Sequence, residues 1–249
     1  MKIDKDTNIL IIGLGIIGGS YARGFTKAGY AVSAIDTDEE TIKFALENNI
    51  IAKGATQVDR GMIESADVII FALYPHIFRE WIEKNQWYLR SGTIITDVTG
   101  VKGKLGNVME FEPYGFAYNR PFIQNMLRDD CEYIAAHPMA GCERLGIKNS
   151  DEKIFYDANY IVVPTEKNTE SAKELCRQIG EILNFAKISE LSPEDHDEMI
   201  GFVSQLTHCI AMSLMTCDHT ENLEDYTGDS FRDLTRIARI DETMWSELF

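Results

Sequence analysis

The sequence predicts an α/β protein, a doubly wound and mainly parallel sheet followed by a short all-helical second domain. Three observations carry this expectation. Short apolar runs alternate with helix-length amphipathic stretches over the first two-thirds of the chain, as strands joined by crossover helices do. The first run ends in Gly13-x-Gly15-x-x-Gly18, where a strand would turn directly into a helix. After about residue 190 the strand signals stop, and the rest of the chain reads at helical period.

Taken in order, strands are expected at 8–13, 31–36, 67–73, 92–98, 132–137 and 159–164. Helices are expected at about 16–28, 38–48, 76–86, 101–111 and 168–184. The apolar opening "ILIIGLGIIGG" is too short to span a bilayer, comes after Asp4 and Asp6, and is rich in glycine, so it reads as a buried strand and turn. At the other end, Ser192 is a natural N-cap, Pro193 suits the first helical position, and acids fill the first turn. A second helix is expected through "SFRDLTRIARIDETMWSELF". The organisation is therefore a domain over 1–190 and a helical segment over 191–249. So little chain makes a poor independent core, so the segment should pack on the first domain or on a second subunit.

Composition narrows the function. The chain has 249 residues and a formal net charge of −16, which argues against nucleic acid or an anionic membrane as partner. An anionic ligand would need a local basic patch. Five cysteines without a C-x-x-C pair fit a reducing cytoplasm, and predict neither a disulfide framework nor a metal site.

The glycine run carries the first chemistry. Gly13 would make the tight turn, Gly15 would let backbone approach a pyrophosphate, and Gly18 would let helix and strand pack closely. The segment Gly13–Gly18, with Leu14, Ile16 and Ile17 between the glycines, is thus the expected phosphate-binding turn of a Rossmann-type domain. Asp36 ends the second strand, where a carboxylate accepts ribose hydroxyls, and no arginine comes after it to meet a 2′-phosphate. The cofactor expected is NAD.

Four further groups stand apart. His137 ends an apolar run and Pro138, lacking an N–H, should stop the strand there. The ring is either a strand cap or a functional group at the mouth of the sheet. His208 shares a helix face with Ser204, near Gly201, with Asp197 further back; it is either a polar site or a satisfied core histidine. Arg232, Arg236 and Arg239 fall at i, i+4, i+7, either a solvated stripe paired with Asp233 or Asp241 or a seat for carboxylates. "TDVTGVKGK" adds Thr99, Gly100 and Lys102 at the end of another strand.

With these residues assembled, the chain resembles the prephenate dehydrogenase family of tyrosine biosynthesis, which includes the arogenate dehydrogenases. The resemblance rests on "GLGIIGGS", "DVTGVKGK", "HPMAGCERLG", "SQLTH" and "GDSFRDLTRIA...MW" and extends along nearly the whole chain. It implies oxidative decarboxylation of prephenate to 4-hydroxyphenylpyruvate with NAD, in the cytoplasm, by a homodimer. His137 would accept the hydroxyl proton, Arg236 would hold a substrate carboxylate and His208 would position the substrate. Glu143 and Trp245 would line the mouth of the site, with Arg232 and Asp233 in support. Many relatives carry serine where Gly100 stands, so Thr99 is the expected substitute near substrate and nicotinamide. Residues 107–130 are longer and more aromatic than the family pattern, and the helical domain is shorter. Two rival readings are arogenate as substrate and a catalytically inactive NAD-binding relative. A 3-hydroxyacid dehydrogenase would want a lysine on the long helix, and none is there.

Overall fold

The computed structural model describes residues 2–102, 109–111, 117–119, 123–141, 144–217, 222–240 and 245, the segments 109–111 and 117–119 by their backbone. The chain runs β1 (Ile9–Ile12), α1 (Ile16–Lys27), β2 (Val32–Ile35), α2 (Glu39–Glu47), β3 (Lys53–Ala55), α3 (Arg60–Ser65), β4 (Val68–Phe71) and α4 (Pro75–Asn85). It continues through β5 (Ile94–Asp97), a hairpin of β6 (Met109–Phe111) and β7 (Ala117–Asn119), α5 (Ile123–Met126) and β8 (Glu132–Pro138). Then come β9 (Asn159–Val163), α6 (Glu170–Ile182), β10 (Lys187–Glu190), α7 (Pro193–Ile200), α8 (Leu206–Thr216) and α9 (Asp229–Arg236).

The main sheet has the order β10-β9-β8-β5-β4-β1-β2-β3. Its described pairings are parallel except β8 against β9. The sequence of β1 shows why the sheet is covered on both faces. All four residues of "ILII" are buried; Ile9 and Ile11 enter one apolar layer, Leu10 and Ile12 the other. Side chains alternate with period 2, so a strand apolar at every position must have a layer on each side. One layer holds Tyr21, Phe25, Phe155 and Leu175 beneath α1 and α6; the other holds Phe71, Phe78, Trp81 and Tyr133 beneath α4. Each such side chain contributes roughly 1.5–3 kcal/mol when fully buried.

Several expectations need correction. Residues 109–111 form a strand, not the end of a helix; 103–108 lie outside the described residues. The short strands β3 and β10 and the helix α3 are additions to the expected elements. "KGA" and "KISE" lack an apolar run and lie at the sheet's edges. β8 does not stop before Pro138. Pro138 pairs with Tyr160 of β9, and Met139 N–H still donates to Asn159 O at 2.8 Å. The missing N–H is tolerated because β5 pairs with β8 only as far as Ile134, leaving Pro138 a neighbour on one side alone.

The helical segment begins as expected, with Ser192 Oγ accepting from Asp195 N–H at 3.1 Å and Pro193 at the first position. It runs to Thr216 with one π-turn at Gly201–Gln205, where Leu206 N–H reaches Gly201 O. By length and composition this helix could cross a membrane. Its outward face carries Met199, Phe202, Val203, Leu206 and Ile210, all exposed. The second helix ends at Arg236, short of the extent expected. Ala238 N–H donates to Thr235 O, Arg239 to Arg236 O and Ile240 to Ala238 O, a turn that places Arg239 beyond the helix end; 241–244 and 246–249 lie outside the described residues.

Candidate active site

Two sites lie at the carboxyl ends of the strands, and the local sequence builds each. At the first, Gly13 has φ +93°, and a Cβ there would lie 2.4 Å from Ala72 O. A Cβ on Gly18 would lie 1.9 Å from Gly13 O, so turn and helix meet only through glycine. Gly15 differs: nothing lies within 4 Å of an added Cβ. Gly15 is exposed and caps α1 with no side-chain hydrogen bond, which leaves the helix N-terminus open to an anion. Asp36 closes β2, its Oδ2 accepting from Leu14 N–H at 2.6 Å and its Oδ1 from Asp38 N–H at 2.9 Å. Leu14 is buried, whereas Ile16 and Ile17 are half-buried above the turn. The open cradle and the carboxylate fit a dinucleotide.

At the second, a cavity of about 660 Å³ opens between the end of β8 and the helical segment. His137 and the small residues after it, Pro138–Gly141, form one wall; Ser204, His208, Arg236, Arg239 and Trp245 form the facing one. Three predicted residues from the helical segment, His208, Arg236 and Trp245, thus meet His137, although they lie 71 or more positions away. The His208 and Trp245 rings pack at 3.9 Å between centroids, and His208 Nδ1 bonds Ser204 O at 2.9 Å. That bond assigns the Nδ1–H as donor and leaves Nε2 for another partner.

Behind His137 runs a polar chain that sequence reasoning did not assemble. His137 Nδ1 lies 2.9 Å from His196 Nε2, and His196 Nδ1 lies 2.8 Å from Asp197 Oδ1. The same oxygen accepts Lys102 N–H at 2.8 Å. A carboxylate only accepts, so His196 donates from Nδ1, and as a neutral ring it accepts at Nε2. His137 then donates from Nδ1, and its Nε2 carries a lone pair. His196 is fully buried, so the network sets its tautomer. The available signal was the pair His196-Asp197 one turn into an acidic helix start.

Below this chain, Lys102 and Asp97 are buried together, Nζ to Oδ2 at 2.7 Å. Lys102 Nζ also donates to Ala136 O at 2.7 Å, and Tyr133 Oη to Asp97 Oδ1 at 3.0 Å. Burial pulls the Lys102 ammonium below its usual range, against the attraction of Asp97. Burial likewise holds His137 well below the usual 6.5, helped by the positive Lys102 and by His196. His137 is therefore neutral at pH 7.

The remaining predicted residues are placed differently. The Thr99 hydroxyl bonds Asp97 and also Val101 O at 3.2 Å, so it turns inward; neither Thr99 nor Gly100 lines the cavity. Arg232 is exposed, pairs with Asp229 and lies off the cavity wall, as does Asp233. Glu143 lies outside the described residues. No metal-binding cluster of His, Cys, Asp or Glu occurs among the described residues.

Residues 21–116 and 117–185 match the family model described as prephenate dehydrogenase, nucleotide-binding domain, and 192–249 match its dimerization domain. The chain is 31% identical to a prephenate dehydrogenase of Bacillus subtilis over 98% of its length, and 30% identical to one of Lactococcus lactis over 96%. It spans 63% of the length of each. A crystal structure of Aquifex aeolicus prephenate dehydrogenase with hydroxyphenyl propionate and NAD+ superposes with a TM-score of 0.81 at 30% identity, covering 98% of this chain and 82% of that one. A Synechocystis arogenate dehydrogenase, at 22% identity and TM-score 0.75, shares the fold; 97% of this chain and 82% of that one are covered. Matched over both domains, the chain belongs to the prephenate dehydrogenase family.

Proposed function

We propose that this protein is an NAD-dependent prephenate dehydrogenase that converts prephenate to 4-hydroxyphenylpyruvate and carbon dioxide. The observation that carries this is His137, neutral at pH 7 with a free Nε2, facing Arg236 and His208 across one cavity. Gly13–Gly18 and Asp36 would hold NAD, with the α1 N-terminus toward the pyrophosphate. Bound there, NAD⁺ supplies the acceptor for the C4 hydride. The family membership and the NAD+ complex of the Aquifex relative support this cofactor.

The chain's own residues do the rest. His137 Nε2 takes the C4 hydroxyl proton, and the His196–Asp197 relay stabilises the positive ring that results. Arg236 binds a substrate carboxylate as a planar fork. His208, packed at a tilt against Trp245, gives the substrate ring a wall and a polar contact. Ile237, Ile240 and Met139 keep the cavity apolar around the hydride path. Loss of ring carboxylate as carbon dioxide then aromatises the product.

The exposed apolar face of Pro193–Thr216 supports a homodimer through the dimerization domain, which would cover it. Five cysteines without a C-x-x-C pair support a cytoplasmic location. The test is NADH formation by the purified protein with NAD⁺ and prephenate, with arogenate and NADP⁺ in parallel. Turnover with prephenate and NAD⁺ is expected; silence with both substrates despite NAD binding would leave the inactive relative.

A further inference from the structure

The cavity has a second cation that the expected family roles do not use. Arg239, just past the end of α9, lines it together with Arg236. Its side chain makes no hydrogen bond or ion pair among the described residues, whereas Arg232 is paired with Asp229. The other described lining residues are histidines, Ser204, and apolar or small side chains; none is Asp or Glu. In a chain of net charge −16, Arg239 adds a second cation to a wall whose described lining holds no carboxylate.

The two candidate substrates differ where such a wall matters. Both carry a ring carboxylate and a side-chain carboxylate. Prephenate has a ketone beside the latter and is a dianion; arogenate has an ammonium there, which cancels one charge. A second guanidinium attracts the dianion's side chain and repels the ammonium. We infer that Arg239 is the specificity-determining residue, selecting the keto substrate over its amino counterpart. This rests on the proposed reading of the cavity as the substrate site. Arg236 then takes one carboxylate and Arg239 the other, with the adjacent ketone oxygen as a further acceptor.

The experiment compares wild type, Arg239→Gln and Arg239→Glu, measuring kcat/KM for prephenate and for arogenate with NAD⁺. Arg239 is exposed, so both variants should fold; NAD affinity checks this. Wild type should favour prephenate. Arg239→Gln should lower kcat/KM for prephenate by about tenfold, mostly through KM, and change that for arogenate by less than about threefold. Arg239→Glu should move the ratio further toward arogenate. Product inhibition gives an independent readout: 4-hydroxyphenylpyruvate should inhibit Arg239→Gln more weakly than wild type, whereas inhibition by tyrosine should stay as in wild type. A wild-type preference for arogenate, or equal losses for both substrates, would overturn the inference while leaving the proposed activity standing. Turnover of neither substrate by wild type would overturn both.

Discussion

Asp197→Asn tests the relay behind His137 more sharply than removal of the histidine itself. Asp197 Oδ1 accepts two bonds at 2.8 Å, from Lys102 N–H and from His196 Nδ1. The backbone donor cannot turn away, so an asparagine must keep its carbonyl oxygen in that place. Both bonds survive, the His196 tautomer survives, and only the charge is lost. Charge-assisted bonds contribute about 1.5–3 kcal/mol against about 0.5–1.5 for neutral ones, so the imidazolium formed during reaction loses about 1–1.5 kcal/mol. Asp197 is 26% exposed, which screens part of this. The expected fall in kcat is about tenfold. Asp197→Ala removes the acceptor as well, freeing the His196 tautomer and orphaning Lys102 N–H, so kcat should fall about 100-fold and stability by about 1–3 kcal/mol. Single-turnover NADH formation would measure the step, and NAD titration would check that binding is unchanged. Wild-type rates in both variants would refute the relay. An asparagine variant as slow as alanine would refute the view that the oxygen and not the charge holds the tautomer.

His137→Asn should lower kcat by about 10²–10⁴-fold while NAD binds within about twofold of wild type, read by steady-state kinetics and fluorescence titration. The same ring carries a pH signature. Its folded pKa lies below 6.5, so the unfolded chain binds the extra proton first; full stability holds above 6.5 and is lost as pH falls from there through the folded pKa. Thermal melts between about pH 7.5 and pH 5 should show a smaller acid loss in His137→Asn than in wild type, and identical losses would count against the neutral ring. Gly13→Ala meets Ala72 O at 2.4 Å with φ +93° and should lower Tm by roughly 5 °C, whereas Gly15→Ala meets nothing and should leave Tm alone but weaken NAD binding about tenfold or more. Lys102→Met strands the buried Asp97 carboxylate and should cost about 3–5 kcal/mol, or roughly 10 °C in a melt; a shift under about 2 °C would mean the pair is not buried as described.

What was legible in the sequence is what short-range chemistry controls. The run "ILII" and the three spaced glycines after it specify a two-sided strand, a tight turn and an uncapped helix start through contacts within a few residues. Ser192-Pro193 specifies a helix start for the same reason. Edge strands such as β3 and β10 were not legible, because half their surface faces solvent and leaves no apolar run. Pro138 misled because a proline excludes a ladder bond only where a neighbour needs one, and whether one does depends on where β5 leaves β8.

The sequence alone thus determined the α/β order, the dinucleotide turn, and the identity of His137, His208, Arg236 and Trp245 as candidates. Tertiary structure alone decided which of them face one cavity, that Thr99 turns inward onto Asp97, and that Arg239 but not Arg232 joins Arg236 on the wall. It also placed His196, 59 residues away in the chain, and its neighbour Asp197 behind His137. A hydrogen bond is set by a few ångströms of separation and by direction. Residues so far apart in sequence acquire both only when the sheet and the long helix pack.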